Sequence, residues 1–180
     1  MKIGKKQLWS VGLSVLTLCL ASPAAHAGSA SSSFGVSAAV AATCSISTVN
    51  MAFGNYDPVT ANATTPLTVN GSVTVTCTKG SQVWIDLNPG THAASASGTT
   101  RAMQATTAGG PEYLSYELYS DNTYSTVWGV GNPSTGGNGY APAPAANKNP
   151  RAFSIYGRIP AGQDSAVGNY SDTVQATVNF

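Results

Sequence analysis

The chain has 180 residues, of which 8 are Lys or Arg and 7 are Asp or Glu, so its formal charge is +1 and only 8% of residues are charged. Nothing in it forms a basic cluster or a basic amphipathic helix, which excludes the usual electrostatic footprints for nucleic acid and for a lipid surface. Lys2, Lys5 and Lys6 precede an apolar run from Leu8 to Leu20 and a small-residue stretch from Ala21 to Ala27. That pattern predicts a secretory signal peptide over residues 1–27, with Ala25-His26-Ala27 as the cleavage motif and Gly28 as the mature N-terminus. The apolar run is too short to span a bilayer well, so no membrane insertion of the mature chain is expected. Leu18 stands where a lipoprotein signal needs a small residue, so Cys19 reads as part of the apolar signal core. The five bases left after cleavage, Lys79, Arg101, Lys148, Arg151 and Arg158, face seven acids, which makes the mature chain slightly acidic and about one domain long.

From Gly28 onward helical periodicity is absent, and alternation of period 2 recurs between clusters of Gly, Pro, Asn and Asp. Phe34, Val36, Ala38 and Val40 alternate with smaller or more polar residues. Val73 to Cys77 and Val83 to Leu87 repeat the pattern, as does Leu114 to Tyr119, with a weaker candidate at Tyr124 to Trp128. The Gly-, Pro-, Ala- and Asn-rich stretch from Gly131 to Pro150 reads as a long exposed loop. Two strands close the chain, Ala152 to Ile159 and Tyr170 to Phe180, separated by a turn from Pro160 to Gly168. In the last, Val174, Ala176, Val178 and Phe180 project to one face. Short strands with turns between them predict an all-β sandwich.

Cys44 and Cys77 remain after signal removal, and an exported chain meets an oxidising compartment, so one disulfide is expected. In the chain-entropy account it contributes about 3 to 4 kcal/mol. Zinc is the weaker reading, since two cysteines without a nearby histidine pair fall short of its ligand count. His92 is the remaining histidine and lies in a small-residue stretch, and no serine sits in a Gly-x-Ser-x-Gly elbow. Glu112 and Glu117 lie five apart, on opposite faces of one strand, and Glu117 and Asp121 fall near a strand end. The expectation is therefore no enzyme, no metal and no cofactor. Three Asn-x-Ser/Thr sequons are of the kind chance supplies in such a composition. Tyr113, Tyr116 and Tyr119 read as packing, with a sugar-binding surface as the alternative.

The alternating Phe34 to Val40 segment, Cys44, Phe53-Gly54-Asn55-Tyr56-Asp57, Val73 to Cys77, Leu114 to Tyr119, and Tyr170 to Val174 running on to Val178-Asn179-Phe180 together resemble the spore coat protein U domain. That family includes the Csu-type pilins of archaic chaperone–usher systems. The resemblance implies an incomplete immunoglobulin-like β-sandwich, residues 42–180, with an open groove beside the last strand at Val174, Ala176, Val178 and Phe180. It implies a donor extension over residues 28–41 carrying Phe34, Val36, Ala38 and Val40. The implied partners are a periplasmic chaperone that lends a strand, an outer-membrane usher, and neighbouring subunits whose extensions replace the chaperone's strand in a surface pilus. A monomeric secreted carbohydrate-binding sandwich is the competing expectation.

Overall fold

The computed structural model describes residues 27–93 and 101–180. The signal peptide expected over residues 1–27 lies outside the described residues except for Ala27. The chain divides into two units, Met1–Ala38 and Ala39–Phe180. In the first, residues 27–38 form no regular secondary structure and are exposed throughout.

The second unit is nearly all-β: β1 Cys44–Thr48, β2 Leu67–Cys77, β3 Trp84–Leu87, β4 Arg101–Thr107, β5 Gly110–Tyr119, β6 Arg151–Ile159 and β7 Ala176–Asn179. A five-stranded sheet has the order β1-β2-β6-β5-β4, and a second sheet pairs β3 with β7. The pairings are all antiparallel. Alternation does what it should on a half-buried pleat. Val73 and Val75 of β2, Leu114, Tyr116 and Leu118 of β5, and Ile155 and Ile159 of β6 face inward against Ile85 and Leu87 of β3. Trp128 is almost wholly buried among them, and its Nε1–H donates to the Ile85 carbonyl at 2.8 Å, which satisfies the one polar group of the indole.

Three expectations are corrected. The Tyr170 to Phe180 strand contracts to β7, because Ser171 exchanges backbone hydrogen bonds with Gln104 of β4 before the chain crosses to β3. The Tyr124 to Trp128 candidate contributes only a bridge, Tyr119 to Val127. Nor is the Gly131 to Pro150 segment simply an exposed loop. Tyr140 exchanges backbone hydrogen bonds with Ile85 on the flank of β3 opposite β7. Its ring packs 5.0 Å from Trp128 and 5.5 Å from Phe153, and Ala145 is buried. The segment docks through its backbone rather than through large side chains. A Cβ at Gly137 would lie 2.5 Å from the Gly131 carbonyl oxygen, and one at Gly139 2.5 Å from Asp86 Oδ1. The residues that made the stretch look coreless are what let it approach so closely.

Candidate functional site

Between the two sheets lies an open cleft of about 1100 Å³. One wall is the segment 48–58 that follows β1; the other is the segment 165–176 that leads into β7. Leu87, Met103, Leu114, Leu118, Ile155 and Ile159 contribute to its floor. Val49 and Val167, strongly exposed, stand on opposite walls. At one end β1 and β7 come together, each contributing one residue to the lining, Thr48 and Ala176; toward the other end the lining runs to Asp57 and Ser165. β7 hydrogen-bonds to β3 along one edge, and among the described residues no strand occupies its other edge. A cleft with an apolar floor and largely polar walls, reaching an unpaired strand edge at Ala176, is a place for another extended chain.

The first wall is placed by two absent side chains. A Cβ at Gly71 of β2 would lie 2.5 Å from Met51 Cγ, and one at Gly157 of β6 would lie 2.8 Å from both Met51 Cε and Phe53 Cζ. The two glycines form a notch in the inner face, and Met51 and Phe53 fill it. Phe53 also meets Tyr116 edge-on at 6.0 Å.

The second wall is held by a polar clasp. Tyr116 Oη donates to Asp172 Oδ2 at 2.7 Å, while Asp172 Oδ1 accepts from the Thr91 and Thr173 amides at 2.8 and 2.7 Å. Burial first, and then the hydrogen bond to Asp172, push the Tyr116 phenol well above its ordinary range. Gly90, with φ of 89°, lets the chain pass beside the Asp172 carboxylate. On the first wall, Asp57 accepts from the Thr60 side chain and the Thr60 and Val59 amides, which lowers its pKa to about 2.

Arg101, 2% exposed, ties the floor to the second sheet. Its guanidinium pairs with Glu117 and donates to the carbonyls of Leu87, Asn88 and Trp128 at 2.7, 3.0 and 2.9 Å. Such a buried charge is tolerated because its donors are engaged. Cys44 and Cys77 face each other across β1 and β2, with Cα atoms 4.2 Å apart, and are joined as a disulfide.

Of the residues expected in the groove, Val174 and Ala176 line the cleft. Val178 lies opposite Ile85 in the β3–β7 pair, and Phe180, 58% exposed, lies past the end of β7. The extension presents Phe34 and Val36 at 87% and 84% exposure, and Ala38 and Val40 are exposed as well. Sequence reasoning quoted Phe53 to Asp57 for the family resemblance without assigning a wall at 48–58, and it missed the β4 contribution of Met103. The tyrosines form no common platform. Tyr116 is core, Tyr113 accepts from Gln104 Nε2, and Tyr119 packs on Tyr124 at 5.6 Å. Glu117 is committed to Arg101, and Asp121 to the amides of its own turn. No helix among the described residues is long and apolar enough to cross a membrane.

The crystal structure of the CsuC–CsuE chaperone–tip adhesion subunit pre-assembly complex, from the archaic chaperone–usher Csu pili of Acinetobacter baumannii, contains a chain that superposes with a TM-score of 0.53 at 22% identity. The match covers 78% of the present chain and 40% of that one, and it establishes a shared fold. The E. coli Hda pilus minor tip subunit HdaB gives a TM-score of 0.39 at 17% identity, over 74% of this chain and 79% of its own. Protein U of Myxococcus xanthus is 35% identical over 168 residues, covering 87% of this chain and 88% of its own length. Residues 30–177 match the Spore Coat Protein U domain, and the chain belongs to that family.

Proposed function

We propose that this chain is a structural subunit of a surface fibre, assembled when the extension at residues 28–41 of one copy fills the cleft of another. The observation that carries the reading is the pairing of an open cleft with an apolar floor, reaching the unpaired edge of β7, with an exposed segment whose apolar side chains recur at every second residue. Burying Phe34 and Val36 contributes roughly 1.5 to 3 kcal/mol each, and each ladder hydrogen bond to β7 about 1 kcal/mol net. Left empty, the same cleft invites aggregation. A periplasmic chaperone that lends a strand, and an outer-membrane usher at which strands are exchanged, fit that need. The fibre would support adhesion or biofilm formation at the cell surface. Resemblance to a pilus subunit in complex with its chaperone supports the reading, as does family membership.

The test is size-exclusion chromatography with light scattering on the chain produced in the periplasm, with and without its chaperone. A one-to-one complex that converts to a ladder of polymers on chaperone withdrawal is expected. Val36→Arg keeps the chaperone complex and loses the ladder. A stable monomer indifferent to the chaperone, or wild-type polymer yield from Val36→Arg, refutes the assignment.

A further inference from the structure

The two ends of the sandwich carry opposite charge. Where β1 begins and β2 stops, the exposed Lys79 and Lys148 border a shallow recess together with Thr43, Asn147 and the disulfide. Arg151 opens β6 at the same end. At the other end, Asp57 lies in the turn that Asn62 joins to Gly162, Asp164 is exposed just beyond, and Glu112 adjoins Tyr113, whose carbonyl accepts from Ser165. Of the other acids, Asp86 is engaged by Asn179 and Gly131, Glu117 by Arg101 and Asp172 by Tyr116, while Asp121 follows β5 where Tyr119 pairs with Tyr156 at the middle of β6, away from this end. Arg158 is turned to the outer face, over the Tyr124 ring at 5.6 Å.

Strand geometry separates these groups within one copy. The 9 residues of β6 run between the two ends, about 26 Å at the usual rise per residue. That is beyond a Debye length of about 8 Å at physiological salt, so the two charge groups do not neutralise each other internally. Between copies the situation differs. The extension leaves the sandwich at the lysine end, where Thr78 Oγ1 donates to the Ala41 carbonyl at 3.3 Å. The cleft lining reaches the carboxylate end at Asp57 and Ser165. Only Ala41, Ala42 and Thr43 separate Val40 from Cys44, a reach of about 14 Å at full extension. A copy whose Val40 is seated in a neighbour's cleft therefore holds its lysine end close to that neighbour's carboxylates.

We infer that Lys79 and Lys148 of one copy and Asp57, Glu112 and Asp164 of the next form a head-to-tail electrostatic contact that guides and orients successive copies of this chain. The inference rests on the strand-donation reading above. It adds that the ends, and not the donated strand alone, recognise each other, which disfavours the like-charged head-to-head and tail-to-tail encounters.

The experiment follows polymer growth of the full secreted chain after release from its chaperone, at low and high salt. Lys79→Glu with Lys148→Glu slows growth roughly tenfold at low salt, the lower range of electrostatic steering, and the difference from wild type closes at high salt. Adding Glu112→Lys and Asp164→Lys to the same chain restores the rate, because the contact is re-formed with its signs exchanged. Equal rates for wild type and the lysine variant at low salt overturn the inference and leave strand donation standing. So does a loss that persists at high salt and is not restored by the second pair. Failure of the wild type to polymerise at any salt overturns both.

Discussion

Replacing Gly71 with Ala tests how the first wall of the cleft is placed. Gly71 does not need glycine for its backbone, since it sits in the extended run of β2 and is not among the positive-φ residues. It needs space: the new methyl would come within 2.5 Å of Met51 Cγ and 2.6 Å of Sδ, more than 1 Å inside an ordinary contact of roughly 4 Å. Met51 is half-buried, so its expulsion forfeits about half of the roughly 1.5 to 3 kcal/mol a fully buried Met contributes. Loose packing left around Phe53 adds to the loss. Against this, Ala for Gly in a strand contributes about 0.5 kcal/mol through the unfolded chain. The net cost is about 1 kcal/mol in urea unfolding of the purified chain, followed by the fluorescence of Trp84 and Trp128. In a Met51→Ala background the clash disappears, and Gly71→Ala becomes neutral or slightly stabilising, a coupling energy of about 1.5 kcal/mol. A Gly71→Ala cost that is the same in both backgrounds refutes the notch.

Arg101→Met leaves Glu117 buried without its cation and three carbonyls without their donor, and is expected to cost about 3 to 5 kcal/mol by the same unfolding assay. Cys44→Ser opens a cross-link spanning 33 residues and lowers stability by about 3 to 4 kcal/mol under oxidising conditions, with no difference from wild type once both are reduced. Tyr116 has its pKa raised in the folded chain, so its contribution is complete below the unfolded value of about 10 and is lost as pH climbs above it. Wild type should therefore lose stability more steeply than Tyr116→Phe in an alkaline titration, and parallel curves would count against the buried Asp172 bond.

Strands with strong alternation were legible from residues alone. β3 and β6 fall near their expected spans, whereas β2 and β5 begin at Leu67 and Gly110, six and four residues before the expected Val73 and Leu114, because Gly71 and, in β5, Gly110 and Glu112 break the apolar alternation there. β4 was not legible, because Arg101-Ala102-Met103-Gln104-Ala105 has little β-branched character; its burial rests on the long-range ion pair with Glu117 and on close packing of two alanines. β1 was missed for a similar reason, its Ser and Thr residues leaving Ile46 as the main apolar contribution. Conversely, the alternation from Phe34 to Val40 produces no strand in this chain, since a strand needs a partner edge as well as a pattern. The cleft was legible on one side only. Val174 and Ala176 announce themselves by period, whereas Met51 and Phe53 owe their position to missing atoms on β2 and β6, which no local pattern reveals.

The disulfide has a mechanical consequence as well as a thermodynamic one. Cys44 is the first residue of β1, an edge strand held only by β2, and the extension leaves from it. A pull on the extension would otherwise be borne by the five-residue ladder between β1 and β2 alone. The bond to Cys77 intercepts that force at the first residue and passes it into β2, which is paired along most of its length with β6. Tension must then shear a long ladder rather than open a short one. The cross-link thus makes the anchorage of the extension as strong as the centre of the sheet, and reduction should weaken the chain under traction far more than it does at rest.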